Sequence, residues 1–318
     1  MSVAHPSLRP AAALLLGALA ACGPGAVPRA AVPGIDPVTG ELAAVEAELP
    51  GADIASVRGP AGAVVVGGSI VAGLVVGGSP AECSLRRLPS GAAAAITARC
   101  QGWLGAYAAL ERARSFLLAA GAEALPAAPV LVEPSADASA ELRPGLRYLP
   151  QLDAYALLPG PAGARVPASL NPGAVAREAA RRQLRGLFES HAEEAEGIAL
   201  FLGAASAVDP GYLASSEPGG DPLGETDLAR PLPSAARPSA QLASTLWAWA
   251  EQTGDAAAAA KVVLAAARAL GQRPADGGAG PSALLSLVAG QLNGAERDQA
   301  CAVFRARLGR SEVPSACP

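Results

Sequence analysis

The stretch that decides the reading runs from Asn171 to Phe201: Asn171-Pro-Gly-Ala-Val-Ala-Arg177-Glu178-Ala-Ala-Arg181, fourteen residues, then Glu196-Gly197-Ile198-Ala199-Leu200-Phe201. Pro172 and Gly173 open a helix that the pattern carries to about His191, and a second helix follows over about 192–207, ending before Asp209-Pro210-Gly211. Arg177 and Arg181, four residues apart, share one helix face, with Glu178 on a neighbouring one. Two helices therefore each bring charge towards a shared seam, Arg177, Glu178 and Arg181 from the first and Glu196 from the second.

Working outward, Cys100 to Ala120 shows a helical apolar face through Leu104, Tyr107, Leu110, Ala113 and Leu117, and Gly121 closes it. Val130-Leu131-Val132 and the run Asp153 to Leu158 read as strands. Further upstream, Val64-Val65-Val66-Gly67-Gly68-Ser69 and Leu74-Val75-Val76-Gly77-Gly78-Ser79 repeat at ten residues, which suits neighbouring strands of a meander. A phosphate-cradling role for those glycines fails because no Lys-Ser/Thr follows and no helix start is signalled. Downstream, residues 211–238 read as a long loop, and 241–252, 256–270, 282–291 and 295–308 as helices. The expected class is α+β, with a mixed strand and helix part (46–165) in front of an α-helical part (166–318) that holds the charged seam.

These pieces resemble the gluzincin zinc peptidases, the broad thermolysin-like and fungalysin-like group. In the working pattern, His-Glu-x-x-His on one helix supplies two metal ligands and a general base. Here both histidine positions hold arginine, Arg177 and Arg181, around Glu178. A second helix in such enzymes carries the third ligand in Glu-Gly-x-Ala-Asp, and Glu196-Gly197-Ile198-Ala199 matches until Leu200 takes the Asp position. The run Tyr107 to Phe116 resembles the helix before the active-site sheet, and Leu242-Ala243-Ser244-Thr245-Leu246-Trp247 resembles a small-residue helix ending in Leu-Trp. The resemblance covers roughly residues 100–270 in the family's order. It implies a strand near 130–158 that pairs with extended substrate, and a peptide or protein as ligand.

A guanidinium has no lone pair to give a metal at any accessible pH, and two of them would repel Zn²⁺. The resemblance therefore implies an inactivated centre with no metal and no cofactor, because Glu178 alone has no activated water on which to act as a base. Two arginines against two glutamates keep the local charge at zero, which suggests that Arg177 or Arg181 forms a bidentate ion pair with Glu196 where zinc would join the helices. The alternatives are an ordinary solvated Arg-Glu-x-x-Arg face, which would leave an unrelated helical envelope lipoprotein, or an active hydrolase working from another site.

At the N-terminus, His5 and Arg9 precede an apolar run from Ala11 to Ala21, far shorter than the ~20 residues that span a bilayer. Residues 1–21 read as a signal peptide. Leu19-Ala20-Ala21-Cys22 is similar to a bacterial lipobox, which would leave Cys22 as the lipidated first residue and 22–45, rich in Pro and Gly, as a flexible tether to the membrane. Gly23 favours the outer membrane, so the expected place is the cell envelope. Four of the five cysteines remain, and the sequence-nearest pairs, Cys83 with Cys100 and Cys301 with Cys317, are the expected disulfides among three connectivities. A net charge of −4 without a basic block excludes nucleic acid as a partner. His191, the one histidine of the mature chain, reads as a surface or capping residue, and Trp103, Trp247 and Trp249 read as core anchors.

Overall fold

The computed structural model describes residues 27–36, 39, 41–71, 74–133, 145–158, 166–216, 223–273, 281–308 and 314–317. The expected signal peptide and Cys22 lie outside the described residues. The chain is α+β, strand-rich in front and helical behind. Strands β1 (Arg29–Ile35), β2 (Leu42–Glu48), β3 (Arg58–Gly59), β4 (Gly62–Val66), β5 (Ser69–Val71), β6 (Leu74–Val76), β7 (Ser79–Pro80), β8 (Leu85–Arg87) and β9 (Ala93–Ala95) come first. Helix α1 (Ala98–Ala119) leads to β10 (Ala128–Val132), β11 (Gly145–Leu149) and, after a 3₁₀ turn over Pro150–Leu152, β12 (Ala154–Leu158). The rest is helical: α2 (Pro172–Gln183), α3 (Arg185–Phe188), α4 (Ala192–Ala207), α5 (Tyr212–Ser216), α6 (Pro238–Thr253), α7 (Ala256–Gly271), α8 (Pro281–Gln291) and α9 (Gly294–Leu308).

One sheet has the order β2-β1-β9-β8, and a second has β11-β12-β10-β4-β3, with β7 also on β4. In the second sheet β10 runs parallel to both β4 and β12, while β11 is antiparallel to β12 and forms the edge. Helix α1 is the crossover between parallel β4 and β10, and it packs on β1, β4, β9 and α2. Its Thr97 cap accepts from the Cys100 backbone N–H at 3.3 Å. A side chain at Gly105 would lie 2.6 Å from Leu170 and 2.9 Å from the Pro33 carbonyl oxygen, so a glycine there lets α1, β1 and the α2 approach meet closely.

Three expectations are corrected here. The stretch 22–45, expected as a tether, already enters the sheet at Arg29. Its prolines mask an alternation in which Ala30 and Val32 are buried, and Pro33 lies past the two-residue pairing with β9, where a missing N–H breaks no ladder bond on that side. The two valine repeats are not neighbours, because β4 pairs with β10, β3 and β7 while β6 pairs with β5. A continuous apolar run such as Val64-Val65-Val66 suits a central strand with parallel neighbours more than a meander edge. The first helix of the charged seam stops at Gln183 rather than His191, since Leu184 turns into the core at φ −96° and ψ 12° before the short α3.

Two disulfides, Cys83–Cys100 and Cys301–Cys317, span Cα–Cα distances of 5.7 and 5.3 Å. The first ties β8's approach to the start of α1, and the second ties the chain's end to α9. Each closes a loop of 17 or 16 residues, for which the chain-entropy model gives about 3 kcal/mol. Replacing Cys83 and Cys100 by alanine should therefore lower unfolding free energy by about 3 kcal/mol in urea titration; a loss below ~0.5 kcal/mol would show that the cross-link adds nothing to the packed α1 start.

Candidate functional site

Helices α2 and α4 lie against each other, with α6 on the far side of α4 and the edge strand β11 beside α2. Small residues make this approach possible. A side chain at Gly197 would stand 2.8 Å from Leu242 and 2.9 Å from the Ser239 carbonyl oxygen, and one at Gly203 would stand 2.7 Å from the Gly173 carbonyl oxygen. Tyr212 of α5 fills the gap beside Gly173, donating its hydroxyl to the Leu200 carbonyl at 3.3 Å. So the region expected as a long loop, 211–238, contributes a short helix and a buried anchor. Asn171 caps α2 through the Gly173 and Ala174 N–H groups and donates to the Tyr212 carbonyl at 2.7 Å.

The four residues singled out from the pattern come together in this seam. Arg177 donates from Nε at 3.1 Å and from Nη2 at 2.5 Å to Oε1 of Glu196. Arg181 pairs with the other oxygen by charge alone, Nε to Oε2 at 3.3 Å, and that oxygen accepts no hydrogen bond among the described residues. The expected pair is thus a triad: both arginines hold Glu196, one on each oxygen, and Arg177 binds one oxygen twice rather than forking across two. Glu178 is almost fully buried and accepts from the backbone N–H of Tyr148 at 2.8 Å, with Arg147 Nη1 at 3.4 Å and Arg181 Nη1 at 3.5 Å.

Electrostatics follow from these contacts. Burial pushes the Glu196 carboxyl up, but the charges of Arg177 and Arg181 and the Arg177 hydrogen bonds outweigh it, so the carboxyl titrates below its ordinary value. Arg177 loses hydration on burial yet is held protonated more firmly than a free guanidinium by Glu196. Arg147 adds a third cation to two carboxylates, so the zero charge balance expected from the four residues alone is corrected to a local excess of one positive charge.

A second ionic group adjoins the first. Asp153, in the left-handed region at φ 44° after the 3₁₀ turn, takes Arg182 in a fork, Nε–Oδ1 and Nη2–Oδ2 both at 2.8 Å, and accepts from the Tyr148 hydroxyl at 3.0 Å. The Arg182 hydrogen bonds, against the upward push of burial, pull this carboxyl down to about 2. Arg182 and Arg185 stand in a run of mostly charged and polar letters, Arg181-Arg182-Gln183-Leu184-Arg185, yet Arg182 is buried. The signal that could have found it is Asp153, a lone carboxylate just before an apolar strand. Arg147 and Tyr148 could not be found, because their role comes from β11 lying at the edge of the sheet.

The residues at the positions that the resemblance would give to metal ligands do not fit a divalent ion. Arg177 and Arg181 present guanidinium groups to the two oxygens of Glu196, and Leu200 is buried in the apolar core. Among the described residues, no group of three or more His, Cys, Asp or Glu side chains comes together in a way that could hold a metal. His191 is buried rather than on the surface; it stands at the start of α4 but makes no side-chain cap, and neither ring nitrogen has a hydrogen-bond partner. Trp103, Trp247 and Trp249 are core residues, with Trp249 edge-on to Phe304 at 6.4 Å between ring centres. No protein-family model and no curated protein matches the chain.

Glu196→Ala should cost about 3 kcal/mol or more, since it strands two guanidinium groups in a mostly buried seam; an unchanged melting temperature would remove the triad from any structural role. Acid sensitivity gives a second test. A carboxyl whose folded value lies below its unfolded 3.8 stabilises above that pH and loses the contribution as pH falls towards about 2. Glu111, which burial pushes up, works in the opposite sense, so the quantity to measure is the difference between wild type and Asp153→Asn. That difference in melting temperature should shrink between about pH 4 and pH 2, and parallel curves would refute the assignment.

Proposed function

We propose that the protein is a membrane-anchored, non-catalytic lipoprotein of the cell envelope, built on a zinc-peptidase-like plan whose centre is replaced by ion pairs, and that it serves as a binding or scaffold protein. The observation that carries this reading is the Arg177–Glu196–Arg181 triad, in which guanidinium groups take the positions and the carboxylate that a gluzincin would give to zinc. Hydrolysis by the metal route needs a Lewis acid and an activated water, and these side chains supply neither. Glu178, at the general-base position, spends its carboxylate on the Tyr148 N–H and on Arg147.

Anchoring rests on the Leu19-Ala20-Ala21-Cys22 match, with lipid on Cys22 and placement at the outer membrane, on its periplasmic face or its surface. Because β1 begins at Arg29, only six residues lie between it and Cys22, and the seven Cα steps that join them reach at most about 25 Å. Such a body would sit close to its membrane, with the α2–α4 seam and its cleft left to meet a peptide or protein.

The test is elemental analysis of the purified mature protein together with thermal melts with and without chelator. Sub-stoichiometric metal and superimposable melts are expected. Stoichiometric zinc with a chelator-sensitive melt would instead establish an active-hydrolase reading and discard this one.

A further inference from the structure

We propose that the cleft beside the edge strand binds a small monocarboxylate with an apolar body, the chemistry of an apolar amino acid or of a peptide's C-terminal residue. This deepens the binding role above and rests on it. The cavity has a volume of about 350 Å³ and is walled by Tyr148 of the edge strand, by Pro150 just after it, and by Arg181 from the end of α2 with Arg185, Phe188 and Glu189 from α3 and its C-terminal cap. That size is near the lower end of the ~300–1,000 Å³ typical of small-molecule sites.

Two guanidinium groups on this wall are under-used. Arg181 is held only at 3.3 and 3.5 Å by Glu196 and Glu178, longer than the ~2.7–2.9 Å of a good charge-assisted bond. Arg185 stands 3.7 Å from an Asp153 oxygen that already accepts from Arg182 at 2.8 Å, and its other polar neighbour among the described residues is the Tyr148 hydroxyl, which itself donates to Asp153. With five N–H donors each, both retain capacity for an incoming carboxylate. They are four residues apart across the Leu184 break, and both reach the same cavity.

The rest of the wall sets what accompanies the anion. Phe188, with Arg181 5.5 Å above its ring, joins Tyr148 and Pro150 to offer an apolar surface. Glu189 adds one negative charge at the exposed side, which opposes a dianion and suits either a neutral extension or the ammonium of a zwitterion. Arg185 and Glu189 cancel, so the local excess stays at one positive charge and matches a single carboxylate.

Calorimetric titration of the mature protein with N-acetyl-phenylalanine, phenylalanine and alanyl-phenylalanine, each beside its C-terminal amide, tests this. The acids should bind, each amide at least about tenfold more weakly, and Arg185→Gln should weaken the acids by about tenfold while leaving the melt unchanged, because its exposed pair adds little stability. Tighter binding of phenylalanine than of alanyl-phenylalanine would identify a free amino acid as the ligand, and the reverse order a peptide terminus. Equal binding of acid and amide, insensitivity to Arg185→Gln, or no binding of any acid would overturn the proposal. A metal-free protein that binds no acid keeps the non-catalytic reading and loses only this one, whereas stoichiometric zinc removes the former whatever the acids do.

Discussion

Two carboxylates, Glu178 and Glu196, sit in the seam between α2 and α4, the first with almost no access to water and the second mostly buried, and burying an unpaired carboxylate costs several kcal/mol. Everything around them is arranged to offset that. Glu196 spans the helix pair by taking Arg177 and Arg181 of the opposite helix, and Glu178 ties α2 to β11 through the Tyr148 N–H and Arg147. The helical half and the second sheet are thus joined by charge-assisted bonds here and at the adjoining Arg182–Asp153 fork. Apolar packing alone would not fix the register of two alanine-rich helices so tightly, since alanine faces slide past one another with little change in contact. The ionic seam supplies specificity that the small side chains lack, at the cost of making each partner indispensable to the other.

Small residues and buried charge depend on one another here. Because Gly173, Gly197 and Gly203 leave no side chain between backbones, α2, α4 and α6 approach closely enough for Arg177 Nη2 to lie 2.5 Å from Glu196. Wider spacing would leave room for water and turn a buried triad into a screened surface pair worth ~0–1 kcal/mol. Tyr212 enters beside Gly173 and Gly203 from α5, with its hydroxyl donated to the Leu200 carbonyl. The glycine of the Glu196-Gly197 pair therefore has a packing reason that is independent of any catalytic ancestry.

How much of this was legible in the letters depended on range. The α+β class, the limits of α4, α6, α7, α8 and α9 to within a few residues, and the meeting of Arg177, Glu178, Arg181 and Glu196 followed from periodicity and from spacing that a motif had already suggested. Strand partners did not, because β4 chooses β10 across more than sixty residues and nothing local to Val64-Val65-Val66 records that choice. The early start of β1 was hidden by prolines whose tolerance depends on which neighbour they face. Arg182 and Arg185 look alike in sequence, yet one is forked onto Asp153 and buried while the other is more than half exposed. The break at Leu184, a tertiary event, is what separates them.

The same geometry decides how a partner can approach. In a sheet, the outward N–H and C=O groups of an edge strand are the natural site for an extended peptide to pair. At β11 one outward donor, the Tyr148 N–H, already serves Glu178, and releasing it would leave a nearly inaccessible carboxylate without its shortest bond. Pairing along the whole strand is therefore opposed by the cost of uncovering Glu178, which at about 1–3 kcal/mol for an unsatisfied buried acceptor exceeds the ~1 kcal/mol a single new backbone bond returns. The side-chain wall of Arg181, Arg185 and Phe188 carries no such penalty. A ligand that uses charge and an apolar body at the end of the strand is therefore favoured over one that zips along it, because the guanidinium groups there can be engaged without uncovering Glu178.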